Sequence, residues 1–355
     1  MSAPFAGRYT PLGEPKTGGT GYIVMCQDED LDRRVAIKFL GSYRDKKRIY
    51  AEISALQRVR SKNVVEIYDV LVQQPGNTIG VIEEYLSGSG LDELAPIPPE
   101  RLLGIAYQIA NGVEDIHAAN LVHRDLKPNN MRMTSEEIVK IFDFDLARDE
   151  DDAQTVGFKG TKGYAAPELY NFNAHFDRSA DVYSFGVSVL ALACNELPAS
   201  LAAQPPDPAR WVAADGFSRA VPQLPSPVAS MLDRCLSPQP AARPTASSIR
   251  TEIARHLVQG RHRASIVYGG STHVCDTSRP TLRLSISGRG GLEIVYDGLR
   301  FVASQVEGSV FVNNAPLTAR QSIDGSCVLT FGDRSLAPYE RVFIPFDVAE
   351  PEVVL

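Results

Sequence analysis

The string HRDLKPNN at residues 123–130 restricts the possible folds and chemistries of this chain more than any other feature. It combines a carboxylate, Asp125, with a lysine, Lys127, and an amide, Asn130. A carboxylate in such a loop accepts the proton of an attacking hydroxyl, and an amide oxygen a few residues later binds a metal ion. The lysine adds positive charge where a transferred phosphoryl group carries negative charge. The string therefore predicts a loop built for phosphoryl transfer.

Two motifs nearer the amino terminus fit the same chemistry. Gly18, Gly19 and Gly21 lack Cβ atoms, so backbone N–H groups can approach a polyphosphate closely. The pattern of residues 17–40 predicts that this glycine turn lies between two apolar strands. The second of these strands contains the run Val-Ala-Ile-Lys, which ends in Lys38 and places its ammonium group against phosphates.

Two acidic residues are expected to complete the site. Apolar residues recur at helical spacing over residues 44–59, and this helix places Glu52 on its inward face, where we expect it to pair with Lys38. The run Val-Lys-Ile-Phe-Asp-Phe at 139–144 puts Asp143 directly after an apolar strand. We expect Asp143 to be the main Mg²⁺ ligand, because Mg²⁺ favours one or two carboxylates together with phosphate oxygens.

The order of these motifs resembles that of the protein kinase family, most of all its bacterial serine/threonine members. The resemblance covers residues 8–257 and continues after the motifs above. GTKGYAAPE at 160–168 resembles the end of the family's activation segment, and DVYSFG at 181–186 resembles its central helix. Arg-Pro-Thr at 243–245 resembles the family's closing motif.

The resemblance implies a fold and a reaction. It implies an α+β, two-lobed kinase fold with a β-rich N-lobe at about 8–86 and a helical C-lobe at about 87–257. It also implies ATP and Mg²⁺ as cofactors, and Ser or Thr hydroxyls of proteins as acceptors. Lys127 and Thr161 are the positions that mark serine/threonine specificity in the family.

The site residues implied by the resemblance fall into three groups. The catalytic residues are Asp125, Lys127, Lys38 and Glu52. The nucleotide-binding residues are Gly18, Gly19, Gly21, Ile23, Ala36, Lys38, Glu84, Leu86, Asn130 and Asp143, of which Asn130 and Asp143 are the metal ligands. The regulatory residues are Arg124, which in the family pairs with a phosphate on the activation segment, and its candidate phosphate acceptors, Thr155 first and Thr161 second.

Three residues depart from the family pattern. Lys16 stands where the first glycine of the turn is frequent, and Asp145 replaces the glycine that follows Asp143-Phe144. Glu83 stands behind the predicted adenine pocket, where we expect its carboxylate to contact or approach Lys38 and compete with Glu52. Asp145 and Glu83 motivate an alternative to an active kinase, a pseudokinase that binds nucleotide and serves as a scaffold.

A second domain follows a linker at 258–264. Over residues 265–347, short β-branched and aromatic runs alternate with Gly, Asn and Asp turns, which predicts a small all-β sandwich. The runs at 308–317, 324–325 and 329–332 resemble the late strands of forkhead-associated domains, which bind phosphothreonine peptides.

Most phosphate-binding residues of that family have no clear counterpart in this sequence. Gly269-Gly270 occupies the place of an expected Gly-Arg pair, and the family's Ser-x-x-His element is blurred around 287–291. Arg289 is the remaining candidate for a bidentate contact with phosphate. The sequence therefore predicts a sandwich that binds a protein partner or packs on the kinase domain without firm phosphopeptide recognition. A further alternative is an adaptor that recruits phosphorylated partners through this domain.

The overall composition limits the classes of partner and the compartment that we expect for this chain. The net charge of −7 offers no basic field for nucleic acid or an anionic membrane, and the acidic run at 149–152 is expected to be a solvated loop. The five cysteines are widely spaced, which suits a reducing compartment. We found neither a signal-peptide pattern nor a span of apolar residues long enough for a bilayer, so we predict a cytoplasmic location.

Overall fold

The computed structural model describes residues 4–18, 21–40, 50, 53–73, 78–144, 148–149, 161–171, 176–194, 196–214, 216–349, 351 and 353. The chain divides into two compact units, of which the first runs from Met1 to Ile253 and the second from Ala254 to Val354. Glu52, Gly19, Asp145 and Thr155 lie outside the described residues.

The first unit begins with a twisted antiparallel sheet. Its strands are β1 (Tyr9–Pro11), β2 (Lys16–Gly18), β3 (Gly21–Asp28), β4 (Arg33–Leu40), β5 (Ile67–Gln73) and β6 (Thr78–Glu84), in the order β1-β3-β4-β6-β5, with β2 paired to β3. Alternate residues of β4, among them Val35, Ile37 and Phe39, are buried in a core on one face of the sheet. Residues of the opposite face, including Ala36 and Lys38, are thereby directed away from that core.

The position of the glycine turn differs from the prediction. The glycines do not separate the two long apolar strands, because β3 and β4 are joined by the turn at 29–32. They instead connect the short polar strand β2 to β3, where Gly18 lies opposite Gly21. A strand of only three residues carries too little alternation to be recognised in the sequence.

The rest of the first unit is mainly helical. Its α-helices are α1 (Leu91–Leu94), α2 (Pro99–Ala118), α3 (Arg178–Ala193), α4 (Ala199–Ala202), α5 (Pro208–Val212), α6 (Gly216–Ala220), α7 (Ser226–Cys235) and α8 (Ala246–Leu257), the last of which ends in the second unit. The helix α3 is almost entirely buried, as expected of a central helix. Asp177 caps its amino end by accepting a hydrogen bond from the backbone N–H of Ser179.

Further short strands lie on either side of α2. β7 (Ser89–Gly90) precedes α1, and β8 (Leu121–Val122), β9 (Met131–Met133), β10 (Val139–Ile141) and β11 (Arg148–Asp149) lie between α2 and α3. β9 and β10 form a hairpin with Ile141 opposite Met131, and β11 pairs with β8. The β-rich lobe followed by a helical lobe confirms the predicted two-lobed α+β fold.

The second unit is an antiparallel sandwich. Its strands are β12 (Arg263–Tyr268), β13 (Ser271–Cys275), β14 (Thr281–Ile286), β15 (Gly290–Tyr296), β16 (Phe301–Gly308), β17 (Val310–Val312), β18 (Ala315–Pro316), β19 (Ser322–Ile323), β20 (Cys327–Phe331) and β21 (Val342–Ala349). One sheet has the order β13-β12-β21-β20-β17-β18 and the other the order β14-β15-β16-β19. The inward residues of both sheets form one apolar core, which confirms the predicted all-β sandwich.

Gly269 and Gly270 have a structural role in this sandwich. Both have positive φ angles, 60° and 74°, in the two-residue turn between β12 and β13. Glycine adopts two such positions in succession without strain, so this pair suits the two-residue turn of a hairpin.

No helix among the described residues is both long enough and apolar enough to cross a membrane.

Candidate active site

A cleft between the two lobes of the first unit contains four of the predicted nucleotide-binding residues. Ile23 and Ala36 line it from β3 and β4, and Glu84 and Leu86 line it from the segment that connects the lobes. The cavity has a volume of about 170 Å³. Gly21 opens β3, two residues before Ile23, so the glycine turn lies at one end of this cleft. Strand alternation on β3 and β4 thus brings residues from distant parts of the sequence to one surface.

Glu84 is held by contacts outside the cavity. Its carboxylate accepts a hydrogen bond from Lys140 Nζ at 2.8 Å and another from the backbone N–H of Glu66 at 3.2 Å. Its own backbone N–H donates to the carbonyl oxygen of Glu66 at 2.8 Å. These contacts hold in place the segment that connects the lobes, which lines the cavity through Glu84 and Leu86.

Lys38 and Asp143 meet at the inner end of the cleft. Lys38 Nζ lies 2.7 Å from Asp143 Oδ1, and the lysine is largely buried. Asn130 is adjacent, because its carbonyl oxygen accepts a hydrogen bond from the N–H of Phe142 at 3.0 Å. The structure therefore brings together the residue predicted to contact phosphates and both predicted metal ligands.

The catalytic loop forms a closed network of polar contacts around Asp125. Lys127 Nζ donates to Asp125 Oδ2 at 2.8 Å and to Thr161 Oγ1 at 2.6 Å. The Thr161 hydroxyl in turn donates to Asp125 Oδ1 at 2.7 Å. Asn130 Nδ2 donates to the backbone carbonyl of Asp125 at 2.8 Å and to its carboxylate at 3.1 Å. One carboxylate is thus oriented by a cation, a hydroxyl and an amide.

A buried carboxylate anchors the backbone of this loop. Asp181, on α3, is 1% exposed and accepts hydrogen bonds from the backbone N–H groups of His123 and Arg124, both at 2.8 Å. It also contacts His117 Nε2 at 2.9 Å. Burial opposes ionisation of Asp181, but the contact with His117 and the backbone N–H donors outweigh it and hold the pKa of this carboxyl below its usual value. The charged form is therefore the one that supports the loop.

A second ion pair braces the activation segment. Arg243 donates two hydrogen bonds to the Glu168 carboxylate, Nη1 at 2.6 Å and Nη2 at 2.8 Å. Its Nη1 also donates to the carbonyl oxygen of Ser179, at the start of α3. The guanidinium lies over the ring of Tyr183, 5.1 Å from the ring centre. The pair is bidentate, so it fixes the orientation of both side chains as well as their distance.

The predicted regulatory residues occupy different settings. Arg124 is largely buried, with its guanidinium over the ring of Phe176 at 5.2 Å. Thr161 uses its hydroxyl to join Lys127 to Asp125, so the second-choice phosphate acceptor is engaged with the catalytic loop itself. Thr155, the first choice, lies beyond the part of the activation segment that the structure describes.

A comparison with protein families identifies the fold. Residues 10–253 match the family model for the protein kinase domain, which is more than half of the chain. The chain belongs to the protein kinase family.

Two curated relatives match the kinase domain. A probable serine/threonine-protein kinase of Clostridium acetobutylicum is 31% identical over 203 residues, which is 54% of this chain and 30% of that protein. A mitogen-activated protein kinase of Phaeosphaeria nodorum is 33% identical over 186 residues, which is 50% of this chain and 52% of that protein. The chain thus matches about a third to a half of the length of these relatives.

Membership of the kinase family implies ATP and a divalent metal, and the donor set fits both. Asp143 offers a carboxylate and Asn130 an amide oxygen, the hard ligands that Mg²⁺ prefers. Because Asn130 Nδ2 is used in bonds to Asp125, its Oδ1 remains for a cation. Lys38 beside Asp143 supplies the positive charge that phosphate oxygens need. When bound, the metal neutralises phosphate charge.

The floor of the kinase cleft contains residues that the sequence analysis missed. Arg132 and Phe142 both line the cavity, and Arg132 Nη1 donates to the carbonyl oxygen of Leu86 at 3.2 Å. Alternation along β9 was the available signal, because Arg132 is two residues after Asn130 in a strand next to the catalytic loop.

Glu83 also lines the kinase cleft. It lies opposite Ala36 on the neighbouring strand, while Val81 lies opposite Lys38, so Glu83 and Lys38 share one face of the sheet as diagonal neighbours. Long side chains can meet across such a diagonal. The predicted contact between Glu83 and Lys38 is therefore within reach, and it stays a prediction.

Proposed function

We propose that this chain is an ATP- and Mg²⁺-dependent serine/threonine protein kinase that transfers the γ-phosphoryl group to hydroxyls of proteins. We further propose that it phosphorylates its own activation segment. The observation that carries the proposal is the network in which Lys127 and Thr161 both contact the Asp125 carboxylate. It supports a role for Asp125 as the acceptor of the substrate's hydroxyl proton.

The proposed roles of Lys38, Asp143, Asn130 and Lys127 follow from their contacts in the cleft, and that of Glu52 follows from the sequence. Lys38 binds phosphate oxygens, and Glu52, which lies outside the described residues, fixes Lys38. Asp143 and Asn130 hold the metal, and Lys127 neutralises charge that develops on the transferred group. Because Lys127 contacts Asp125 already, its charge is present before the reaction begins and needs no reorganisation.

The proposal is tested by incubating purified protein with γ-labelled ATP and Mg²⁺ in parallel with an Asp125→Asn variant. We expect label on the wild type alone, mapped to Thr155 or Thr161, and no label when EDTA replaces Mg²⁺. A Glu136→Gln variant, altered at an exposed carboxylate of the β9–β10 turn, is a matched control and should label normally. If wild type and variant both bind ATP and neither labels itself or a generic protein acceptor, the scaffold alternative replaces the kinase.

We also propose that the C-terminal sandwich, which weakly resembles forkhead-associated domains, binds a protein partner. A role in recruiting phosphorylated partners is favoured by Arg289, which lies half-exposed in the turn between β14 and β15. Its aliphatic stem is close enough to Gly332 that a Cβ at that residue would be 3.3 Å from Arg289 Cδ. The test compares binding of the full chain to matched phosphothreonine and threonine peptides, with Arg289→Gln as the variant. Equal binding of both peptides would exclude phosphate recognition.

A further inference from the structure

The two outer faces of the C-terminal sandwich differ in chemistry. The outer face of the four-stranded sheet has the apolar pair Val295 and Val302 at one end and a group of polar side chains that pair with one another beside it. On that face Arg283 forms an ion pair with Glu293, and the Ser304 hydroxyl donates to the same carboxylate at 2.7 Å. Its polar groups are therefore satisfied by their own neighbours.

The outer face of the six-stranded sheet breaks this pattern. Pro345 lies opposite Val328, and alternation from the buried Ile266–Phe346 pair directs Val267 outward beside Pro345. Val267 is 63% exposed and Val328 40% exposed. These three residues form one apolar row across three strands, where polar side chains are usual.

A second row, apolar except for the buried Thr330 in its middle, runs parallel to the first. Phe343 lies opposite Thr330, Thr330 lies opposite Phe311, and Phe311 lies opposite Pro316. Phe343 is 50% exposed, whereas Phe311 is nearly buried. We call the surface formed by Val267, Phe311, Val328, Phe343 and Pro345 the apolar face. A contiguous apolar patch of this kind on a sheet marks a site of protein association.

Two arginines border the apolar face. The guanidinium groups of Arg334 and Arg341 lie over the Phe311 ring, 5.1 and 5.5 Å from its centre, and Arg341 also lies 5.6 Å from the centre of the Phe343 ring. Arg334 donates to the carbonyl oxygen of Asn314. Within the described chain neither arginine forms an ion pair with a carboxylate, and the buried Nε of Arg341 has no acceptor.

We propose that the apolar face binds a protein segment in which Asp or Glu side chains alternate with apolar ones. The apolar side chains of that segment cover Val328 and Phe343, and its carboxylates pair with Arg334 and Arg341. Aromatic residues and arginine are the types most enriched where binding energy concentrates in protein interfaces. The surface rests on the proposed partner-binding role of the sandwich and is separate from the kinase site.

Charge complementarity selects this occupant over a basic or neutral one. A basic segment would be repelled by two guanidinium groups that form no ion pair among the described residues, where the nearby Asp333 carboxylate accepts hydrogen bonds from Ser309 and Ser335 instead. A neutral apolar segment would bury both guanidinium groups and leave them without a counter-ion, which is costly. Only a partner with carboxylates satisfies the arginines while covering the aromatic rings.

The experiment uses a display library of random 12-residue peptides selected on the immobilised full chain. Each round is counter-selected on a Phe343→Ser, Arg341→Gln double variant, and enriched peptides are synthesised and measured by fluorescence anisotropy. Phe343 is half-exposed and Arg341 lies outside the core, so both changes leave the fold intact; circular dichroism of the variant checks this. Arg283→Gln, at the exposed arginine of the opposite sheet, is the matched control.

We expect enriched peptides with at least two Asp or Glu residues beside aromatic or aliphatic ones. Their affinity should fall at least tenfold on Arg341→Gln or Phe343→Ser, stay unchanged on Arg283→Gln, and weaken as salt concentration rises. Absence of enrichment over counter-selection, or enrichment of neutral or basic peptides, would overturn the proposal. Self-association of the chain that is lost on Phe343→Ser would overturn it too, because a second copy would then be the occupant. Phosphothreonine peptide binding that depends on Arg289 alone would leave the partner-binding role standing and refute this surface.

Discussion

Substitution of Asp181 by Asn tests whether one buried carboxylate holds the catalytic loop in place. The two side chains have the same shape, but the amide replaces one acceptor oxygen with an NH₂ donor. Asp181 Oδ1 accepts from the N–H of Arg124, and Oδ2 accepts from the N–H of His123 and contacts His117. In the variant, the NH₂ group of the new Asn side chain must take the place of one of these two oxygens. A donor then faces the N–H donor that the oxygen had accepted from.

The size of the effect follows from the hydrogen bonds that the amide cannot accept. The least damaging orientation keeps the Asn oxygen toward His123 and His117 and sets the NH₂ group against the backbone N–H of Arg124. One hydrogen bond to a charged group then disappears, which costs about 1.5–3 kcal/mol, and a buried donor is left without an acceptor. We therefore expect Asp181→Asn to lower the free energy of unfolding of the kinase domain by about 3 kcal/mol.

The assay is urea unfolding followed by tryptophan fluorescence. Trp211 is the one tryptophan of the chain and is buried in the kinase domain, so its emission reports that domain alone. Asp177→Ala is the matched control, because it removes the cap of the same helix and costs about 1 kcal/mol without contact to the catalytic loop. Autophosphorylation should fall much further in Asp181→Asn than in Asp177→Ala.

The effect should also depend on pH in a defined direction. The pKa of Asp181 is lowered in the folded protein, so its contribution is complete above the unfolded value of about 3.9 and is lost only as pH falls through the folded value. Titration of Asp181 itself should thus add no pH dependence to the difference between wild type and variant from about pH 5 to pH 8. An Asp181→Asn protein that unfolds at the same urea concentration as Asp177→Ala, with the same activity, would refute the anchoring role.

Four further predictions concern other positions. Gly88→Ala should destabilise the kinase domain by at least about 2 kcal/mol in urea unfolding, because Gly88 has a φ of 94° and a Cβ there would lie 2.0 Å from the carbonyl oxygen of Met133. Arg243→Lys should cost about 2 kcal/mol in the same assay, because a lysine cannot keep both bonds to its carboxylate partner; an unchanged midpoint would contradict this. Thr161→Val should reduce phosphorylation of a generic protein acceptor about tenfold and leave thermal stability nearly unchanged, because it removes the hydroxyl that joins Asp125 to Lys127. Burial lowers the pKa of His123, so wild type should lose stability as pH falls below about 6.5, and a His123→Gln variant should show a smaller loss between pH 7.5 and 5.5.

The elements that can be predicted from the sequence are those long enough to show a clear hydrophobic periodicity. The helices α2 and α8 extend over 20 and 12 residues, and apolar residues recur at spacings of three and four along both, which is the pattern that predicts a helix. β13 lacks such a signal, because its first three residues are exposed and polar and no alternation identifies it as a strand. Its existence is dictated by the turn before it and by pairing with β12, which are properties of the folded domain.

The site could be predicted for residues that belong to motifs. Asp125, Lys127 and Asn130 are close in sequence, and their contacts in the loop follow from that spacing. Arg132 belongs to no motif, and Phe142 was noted only as part of the run that ends in Asp143-Phe144. The place of both residues in the cleft depends on the register between β9 and β10. A single sequence does not contain that register, so the cleft floor emerged only from the structure.

His123 links the two strained segments of the kinase site. Arg124 and Asp143 both have φ angles near 70°, a region that costs residues other than glycine about 1–2 kcal/mol. His123 Nε2 contacts the carbonyl oxygen of Phe142 at 3.1 Å, directly before Asp143, while its Nδ1 accepts from the N–H of Asp125 at 3.4 Å. Only a neutral ring can donate at one nitrogen and accept at the other, which agrees with the lowered pKa of this buried histidine. The segments of Asp125, the proposed proton acceptor, and Asp143, the proposed metal ligand, are therefore both held by one side chain, and Asp181 secures the backbone that carries it.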